Sequence, residues 1–259
     1  MSKKNKVDNL DISEYQGKKL IAFDLYGTCI HRPEWFFGWE KFSTYKELRK
    51  EVIRNLWKIS DEQIKEITKE LFTLLQTQET SVEESIELKN WVKISLSENF
   101  IKKINDDVAW VLAYKDFFEV VKELKKRWYK IAAVSNLWKK YWEPLKNGTI
   151  PEWIFDYEVL SYKVWALKPH SEIFEYLKQQ VEWVDFDEMV FVWDNLNHDI
   201  KWSRKVWMKP IHIDRKHRNV IKNEETDLNK EKDLNKENDW IKIKYIQIWT
   251  LKHLLDIFK

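Results

Sequence analysis

Three short apolar runs each lead to a polar side chain: KKLIAFD (18–24) ends on Asp24, KIAAVS (130–135) on Ser135, and EMVFV (188–192) runs into Asp194. Continuous apolar runs of this length, bounded by polar or turn residues, read as strands buried on both faces. DYEVLS (156–161) and KPIHID (209–214) read as further strands. The stretches between them have helical spacing: DFFEVVKELKKR (116–127), SEIFEYLKQQV (171–181) with Ser171 as its cap, and 197–206. Strands alternating with helices predict an α/β fold with a Rossmann-like, doubly wound parallel sheet. In such a sheet, ligands bind beyond the carboxyl ends of the strands. Asp24, Ser135 and Asp194 all lie at such ends.

Two segments interrupt the alternation. Residues 32–111 are aromatic and charged, with Leu56, Ile59, Ile64, Ile67, Leu71, Leu74 and Leu75 at helical intervals. They predict a helical cap inserted into a core built from 1–31 and 112–259. The second is 216–239, where DLNKEK (227–232) is followed by DLNKEN (233–238). From Arg215 to Asp239 there are seven basic and seven acidic side chains and little that is apolar. Such composition predicts a disordered, solvated loop. IKIKYIQI (241–248) returns to strand alternation, and TLKHLLDIF (250–258) predicts a closing amphipathic helix.

The formal net charge of +2 gives no sign of a nucleic-acid or membrane partner. The single cysteine, Cys29, excludes an intrachain disulfide and predicts a small packing residue in a reducing compartment. No secretory leader and no membrane-length apolar run is evident, so a cytoplasmic protein is expected. Oligomeric state leaves no mark in the sequence.

Glycine is the anomaly. The chain has 4 Gly and 16 Trp, whereas average usage of about 7% would give roughly 18 glycines. Position sharpens the point. Trp128 stands where a helix meets a strand, the place of a glycine C-cap. Trp193 stands beside Asp194, where backbone must approach a ligand closely. Trp165, Trp202 and Trp207 occupy similar tight places. The pattern predicts that many of these tryptophans are glycines, from UGA codons that the cell reads as glycine.

Four separated motifs carry the chemistry: Asp24 with Tyr26, Gly27 and Thr28 (DLYGT), Ser135–Asn136 (AAVSN), Lys168–Pro169 (ALKPHSEIF), and Asp194 with Asp199 (VWDNLNHD). In this order and context the chain resembles the haloacid dehalogenase-like (HAD) hydrolase superfamily, over roughly 18–31 and 114–214. The resemblance implies Asp24 as a carboxylate nucleophile that forms an acyl intermediate. Thr28, Ser135, Asn136 and Lys168 would hold the substrate, with Lys168 supplying positive charge. Asp24 and Asp194 close together would repel. A Mg²⁺ ion held by Asp24, the Tyr26 carbonyl and Asp194 removes that conflict, since Mg²⁺ prefers hard oxygen ligands. Asp199 joins this group as a further metal-site acid or as the residue that orients a water or Lys168.

Tyr26 departs from the phosphatase pattern. Phosphatase members carry a second Asp there, which protonates the leaving group. A phenol with pKa ~10 is poorly matched to that task. Haloacid dehalogenases carry Tyr at this position, yet the acidic fourth motif resembles the metal-dependent branch. Three readings follow: a Mg²⁺-dependent phosphatase of small phosphate monoesters, a metal-free 2-haloacid dehalogenase acting on a carboxylate substrate, and a catalytically inactive binding protein. Arg32, Arg49 and Arg54 are the candidate cap cations for substrate charge.

Overall fold

The computed structural model describes residues 12–33, 43–56, 58–79, 86–195, 207–215, 222–227 and 242–259. Its frame is a seven-stranded sheet in the order β10-β11-β9-β8-β1-β6-β7. The strands are β1 (Leu20–Phe23), β6 (Lys130–Ser135), β7 (Tyr157–Leu160), β8 (Met189–Trp193), β9 (Lys209–Ile213), β10 (Lys222–Asp227) and β11 (Lys242–Ile248). All neighbouring pairs are parallel except β10 with β11, so six parallel strands end in one antiparallel edge.

Alternation along each strand feeds two cores. Leu20, Ala22, Ala132, Val134, Phe191 and Trp193 pack on one side. Ile21, Phe23, Ile131, Ala133, Val190 and Val192 pack on the other. Side chains two apart share a face, and a parallel sheet is covered on both. That is why these runs are apolar throughout and not alternating.

The chain leaves β1 to one side, through β6 and β7, and then returns to the other side through β8 and β9. The reversal makes the carboxyl end of β1 the switch point where a ligand crevice forms. Between β1 and β6, short strands β2 (Ile30–His31) and β5 (Leu112–Ala113) pair antiparallel. Among the described residues they bracket three α-helices: α1 (Thr44–Asn55), α2 (Asp61–Thr77) and α3 (Glu98–Ala109). Each opens on a serine that accepts a bond from a first-turn backbone N–H, Ser43, Ser60 and Ser97 in turn. Ser60 and Gln63 form a reciprocal capping box. A short antiparallel pair of two-residue strands, β3 (Ile86–Glu87) with β4 (Lys93–Ile94), lies between α2 and α3. In the core, α4 (Phe117–Lys126), α5 (Lys139–Pro144), α6 (Ser161–Val164) and α7 (Ser171–Gln180) follow in order.

The structure corrects two expectations. Residues 222–227 fall inside the stretch expected to be a disordered loop, yet they form β10, paired residue for residue with β11. The open edge of β11 supplies backbone hydrogen-bond partners that composition does not reveal, and a charged edge strand is a common way to end a sheet. The C-terminal helix is shorter than expected: a 3-10 turn at Leu251–His253 leads into Leu254–Ile257. The helix expected at 197–206 lies outside the described residues.

Candidate active site

Asp24 follows the last residue of β1, and its backbone N–H donates to the Val192 carbonyl, tying it to the neighbouring strand. Its carboxylate is asymmetric. Oδ1 accepts from the Leu25 N–H at 2.8 Å and from the Ser135 hydroxyl at 2.8 Å, and Lys168 Nζ lies 2.9 Å away. Among the described residues Oδ2 accepts nothing. A carboxylate with one oxygen held by two hydrogen bonds and an ion pair and the other unengaged is oriented to attack through the second.

Lys168 is buried at 8% exposure, with its ammonium 5.1 Å above the Phe191 ring. Asn136 fixes its backbone from both sides: Nδ2 donates to the Lys168 carbonyl at 2.7 Å, and the Lys168 N–H donates to Oδ1 at 2.6 Å. Asn136 therefore positions the lysine. A cation buried beside one carboxylate is stable because it is paired there.

Asp194 follows β8. A Cβ built on Gly27 would lie 1.9 Å from Asp194 Oδ2, so the carboxylate rests against the Gly27 backbone, and Gly27 holds a positive φ of 76°. Only glycine fits there. Asp194 thus meets the same loop that carries Asp24. Among the described residues the Tyr26 carbonyl in that loop accepts no hydrogen bond. Two carboxylates and one unengaged carbonyl around a single turn are the hard-oxygen donors that Mg²⁺ favours. His212 Nε2 lies 3.1 Å from the Asp194 carbonyl and braces it from β9. Asp199 lies outside the described residues.

Thr28 is fully buried, and its hydroxyl has no partner among the described residues. It does not line the cavity described next. Cys29 is free and fully buried, and burial pushes its thiol well above the usual range, so it is a packing residue.

A cavity of about 350 Å³ adjoins these loops. Tyr26 and Asn136 stand in its wall from the core, and Thr44, Tyr45, Phe72 and Gln76 stand there from α1 and α2. Among the described residues Arg32 is the only ionised side chain in the lining. Of the three candidate cap arginines, the structure brings this one to the site. Arg49 pairs with exposed Asp61, and Arg54 pairs with Glu51 and donates to the Ser95 carbonyl. Arg32 lies 4.9 Å above the Tyr26 ring and 5.7 Å from the Tyr141 ring. Its Nη2 donates to Asp107 Oδ2 at 2.6 Å, and its Nε lies 2.6 Å from Oδ1. Tyr141 also donates to Asp107, at 2.7 Å. Burial pushes the Tyr26 phenol above the usual tyrosine range, so it stays protonated. Asp107 and Tyr141 escaped the sequence reading because they reach Arg32 from distant helices, and no local motif marks them.

Among the described residues no helix is long and apolar enough to cross a membrane. No curated protein matches the chain. Solved structures similar to it share its fold at low identity. A HAD family enzyme from Bacteroides thetaiotaomicron, in complex with magnesium and inorganic phosphate, matches at TM-score 0.52 and 17% identity, over 78% of this chain and 96% of its own. A HAD phosphatase from Thermococcus onnurineus matches at TM-score 0.50 and 21% identity, over 92% and 97%. A dehalogenase matches at TM-score 0.52 and 15% identity, over 97% and 98%. A family model of hydrolases of the haloacid dehalogenase-like class matches residues 18–205. With the four motifs gathered at the switch point of a parallel sheet, the chain belongs to the haloacid dehalogenase-like hydrolases.

Proposed function

We propose that this chain is a Mg²⁺-dependent phosphatase of small phosphate monoesters, acting through an aspartyl-phosphate on Asp24. One observation carries the reading: the Asp24 carboxylate is held through Oδ1 while the Asp194 carboxylate rests on the same loop at Gly27. A metal-free dehalogenase needs the first feature and has no use for the second. Asp24, the Tyr26 carbonyl and Asp194 would hold the Mg²⁺, with Asp199 as a further candidate from the resemblance. Bound there, the ion supplies positive charge opposite the phosphoryl oxygens.

In this reading Asp24 Oδ2 attacks phosphorus, and the bond from phosphorus to the ester oxygen breaks. The leaving oxygen takes its proton from water, because the buried phenol of Tyr26 is too weak an acid to supply it. Lys168 and the Ser135 hydroxyl keep Oδ1 oriented throughout. Water then attacks the aspartyl-phosphate, inorganic phosphate departs, and the Asp24 carboxylate is restored.

Tyr26 itself favours the dehalogenase alternative, since a halide leaves without a proton. Phosphate release from a panel of monoesters, with Mg²⁺ and with EDTA, is therefore run beside halide release from 2-chloropropionate. Phosphate release abolished by EDTA supports the proposal. Halide release that survives EDTA overturns it.

A further inference from the structure

We propose that the cavity walled by Tyr26 and Asn136, from the loops that carry Asp24 and Ser135, accepts an uncharged ring as the leaving group of the phosphate ester and rejects a leaving group that carries a second anion. The proposal rests on the phosphatase reading and extends it to substrate class. Its first support is the wall. Tyr26, Tyr45, Phe72, Trp138 and Tyr141 line a space of about 350 Å³, within the size range of small-molecule sites. Tyr45 and Phe72 meet edge to face, with ring centroids 5.7 Å apart, and Tyr26 meets Tyr141 in the same way at 6.1 Å. Such walls leave ring faces and edges for a flat guest. Ser43, Thr44, Gln76 and Asn136 add neutral polar groups.

The second support is electrostatic. Among the described residues Arg32 is the only ionised group in the lining, and it is already matched. Asp107, 1% exposed, faces it at two points of 2.6 Å each and takes a further bond from Tyr141. The Tyr26 ring covers its face. For Arg32 to take a substrate carboxylate it would have to release Asp107, leaving a buried carboxylate without its cation, which is costly. An arriving anion therefore meets a neutral pair.

The third support is chemical. No group at Tyr26 protonates the leaving oxygen, so alcohols of low pKa leave most readily. Phenols are such alcohols, and their shape suits the wall.

The test compares phenyl phosphate with 4-carboxyphenyl phosphate, which differ by one carboxylate on the same ring. Their phosphonate analogues are titrated by calorimetry in parallel. Phenylphosphonate is expected to bind more tightly than its 4-carboxy analogue, by about tenfold or more, with kcat/KM for the esters in the same order. Asp107→Asn releases Arg32 and is expected to narrow or reverse that ratio. Phe72→Ala, which leaves the ion pair in place, raises KM for phenyl phosphate. Equal or tighter binding of the carboxylated analogue overturns the inference, as does failure of both analogues to bind. Binding in the expected order without turnover of either ester overturns the phosphatase reading and leaves the pocket assignment standing.

Discussion

At the scale of single residues, backbone conformation bears on the tryptophan excess. Among the described residues five non-glycine positions have positive φ, and four are tryptophans: Trp91, Trp128, Trp165 and Trp207. All four side chains stand in solvent, from 74% to 91% exposed. Trp128 follows α4 at the turn where its N–H donates to Lys125 and the Tyr129 N–H donates to Leu124. That is the Schellman pattern, whose left-handed residue is usually glycine. A left-handed residue with a Cβ costs about 1–2 kcal/mol, and exposed indoles recover none of it by packing. Trp193 differs: its φ is not positive, and its indole is fully buried against Phe191. We therefore expect Trp128→Gly, Trp165→Gly and Trp207→Gly each to stabilise the protein by about 1 kcal/mol, read as a higher urea midpoint at constant slope. Peptide mass spectrometry on protein from its native cells is expected to find glycine at these positions; tryptophan at all of them sinks the recoding idea. At the site itself, Asp24→Asn is expected to lower kcat by about 10⁴-fold without unfolding the chain. Tyr26→Asp adds the missing acid and is expected to raise kcat for alkyl phosphates by about 10²-fold. An unchanged rate for Tyr26→Asp excludes leaving-group protonation as the slow step.

At the scale of elements, the sequence was most legible where burial is two-sided. β6 runs from Lys130 to Ser135, the same six residues as the apolar run that announced it. β8 extends one residue past the apolar run, to Trp193. β10 was illegible, because an edge strand is held by backbone bonds to β11 and needs no apolar face. Ser171 enters α7 as its first residue, with His170 as the N-cap and no side-chain bond capping the turn. The placements of Asp24, Ser135 and Lys168 were readable from strand ends and motif order. The Arg32–Asp107–Tyr141 cluster was not, since contacts spanning 75 and 34 residues have no sequence period. Caps are the local devices that spacing does encode. Ser60→Ala removes the hydroxyl that accepts from the Gln63 N–H, leaves the bond from its own N–H to Gln63 Oε1, and is expected to cost about 1 kcal/mol. A loss confined to α2, seen as faster amide exchange there with the sheet unaffected, separates the cap from a global effect.

At the scale of the whole molecule, the chain's far segments meet behind the loop that follows β1 at Asp116, 8% exposed. Its carboxylate accepts from Arg215 Nη1 at 3.0 and 2.9 Å, from the Thr250 hydroxyl at 2.5 Å and from the Leu251 N–H at 2.8 Å. Arg215 in turn donates to the Thr28 carbonyl at 2.6 Å and lies 3.9 Å from the Tyr114 ring centroid. One carboxylate thus joins the end of the chain to the loop that carries Asp24. Burial works to raise the Asp116 pKa, and Arg215 with the bonds from Thr250 and Leu251 outweighs it, holding the carboxyl below its usual range. The sign of the pH effect follows. Below the ordinary aspartate value of about 3.9, the unfolded chain binds this proton more readily than the folded one, so stability falls as pH drops through that window. Above it the contribution is complete. Asp116→Asn leaves Arg215 buried without its counter-charge and is expected to cost about 3 kcal/mol at pH 7. The gap between wild type and variant should close as pH falls below the aspartate range, because protonation makes the wild type resemble the variant. Urea unfolding of both proteins at pH 7, 4 and 2.5 checks this. A gap that stays constant across the series would assign the loss to packing and remove the charge from the account.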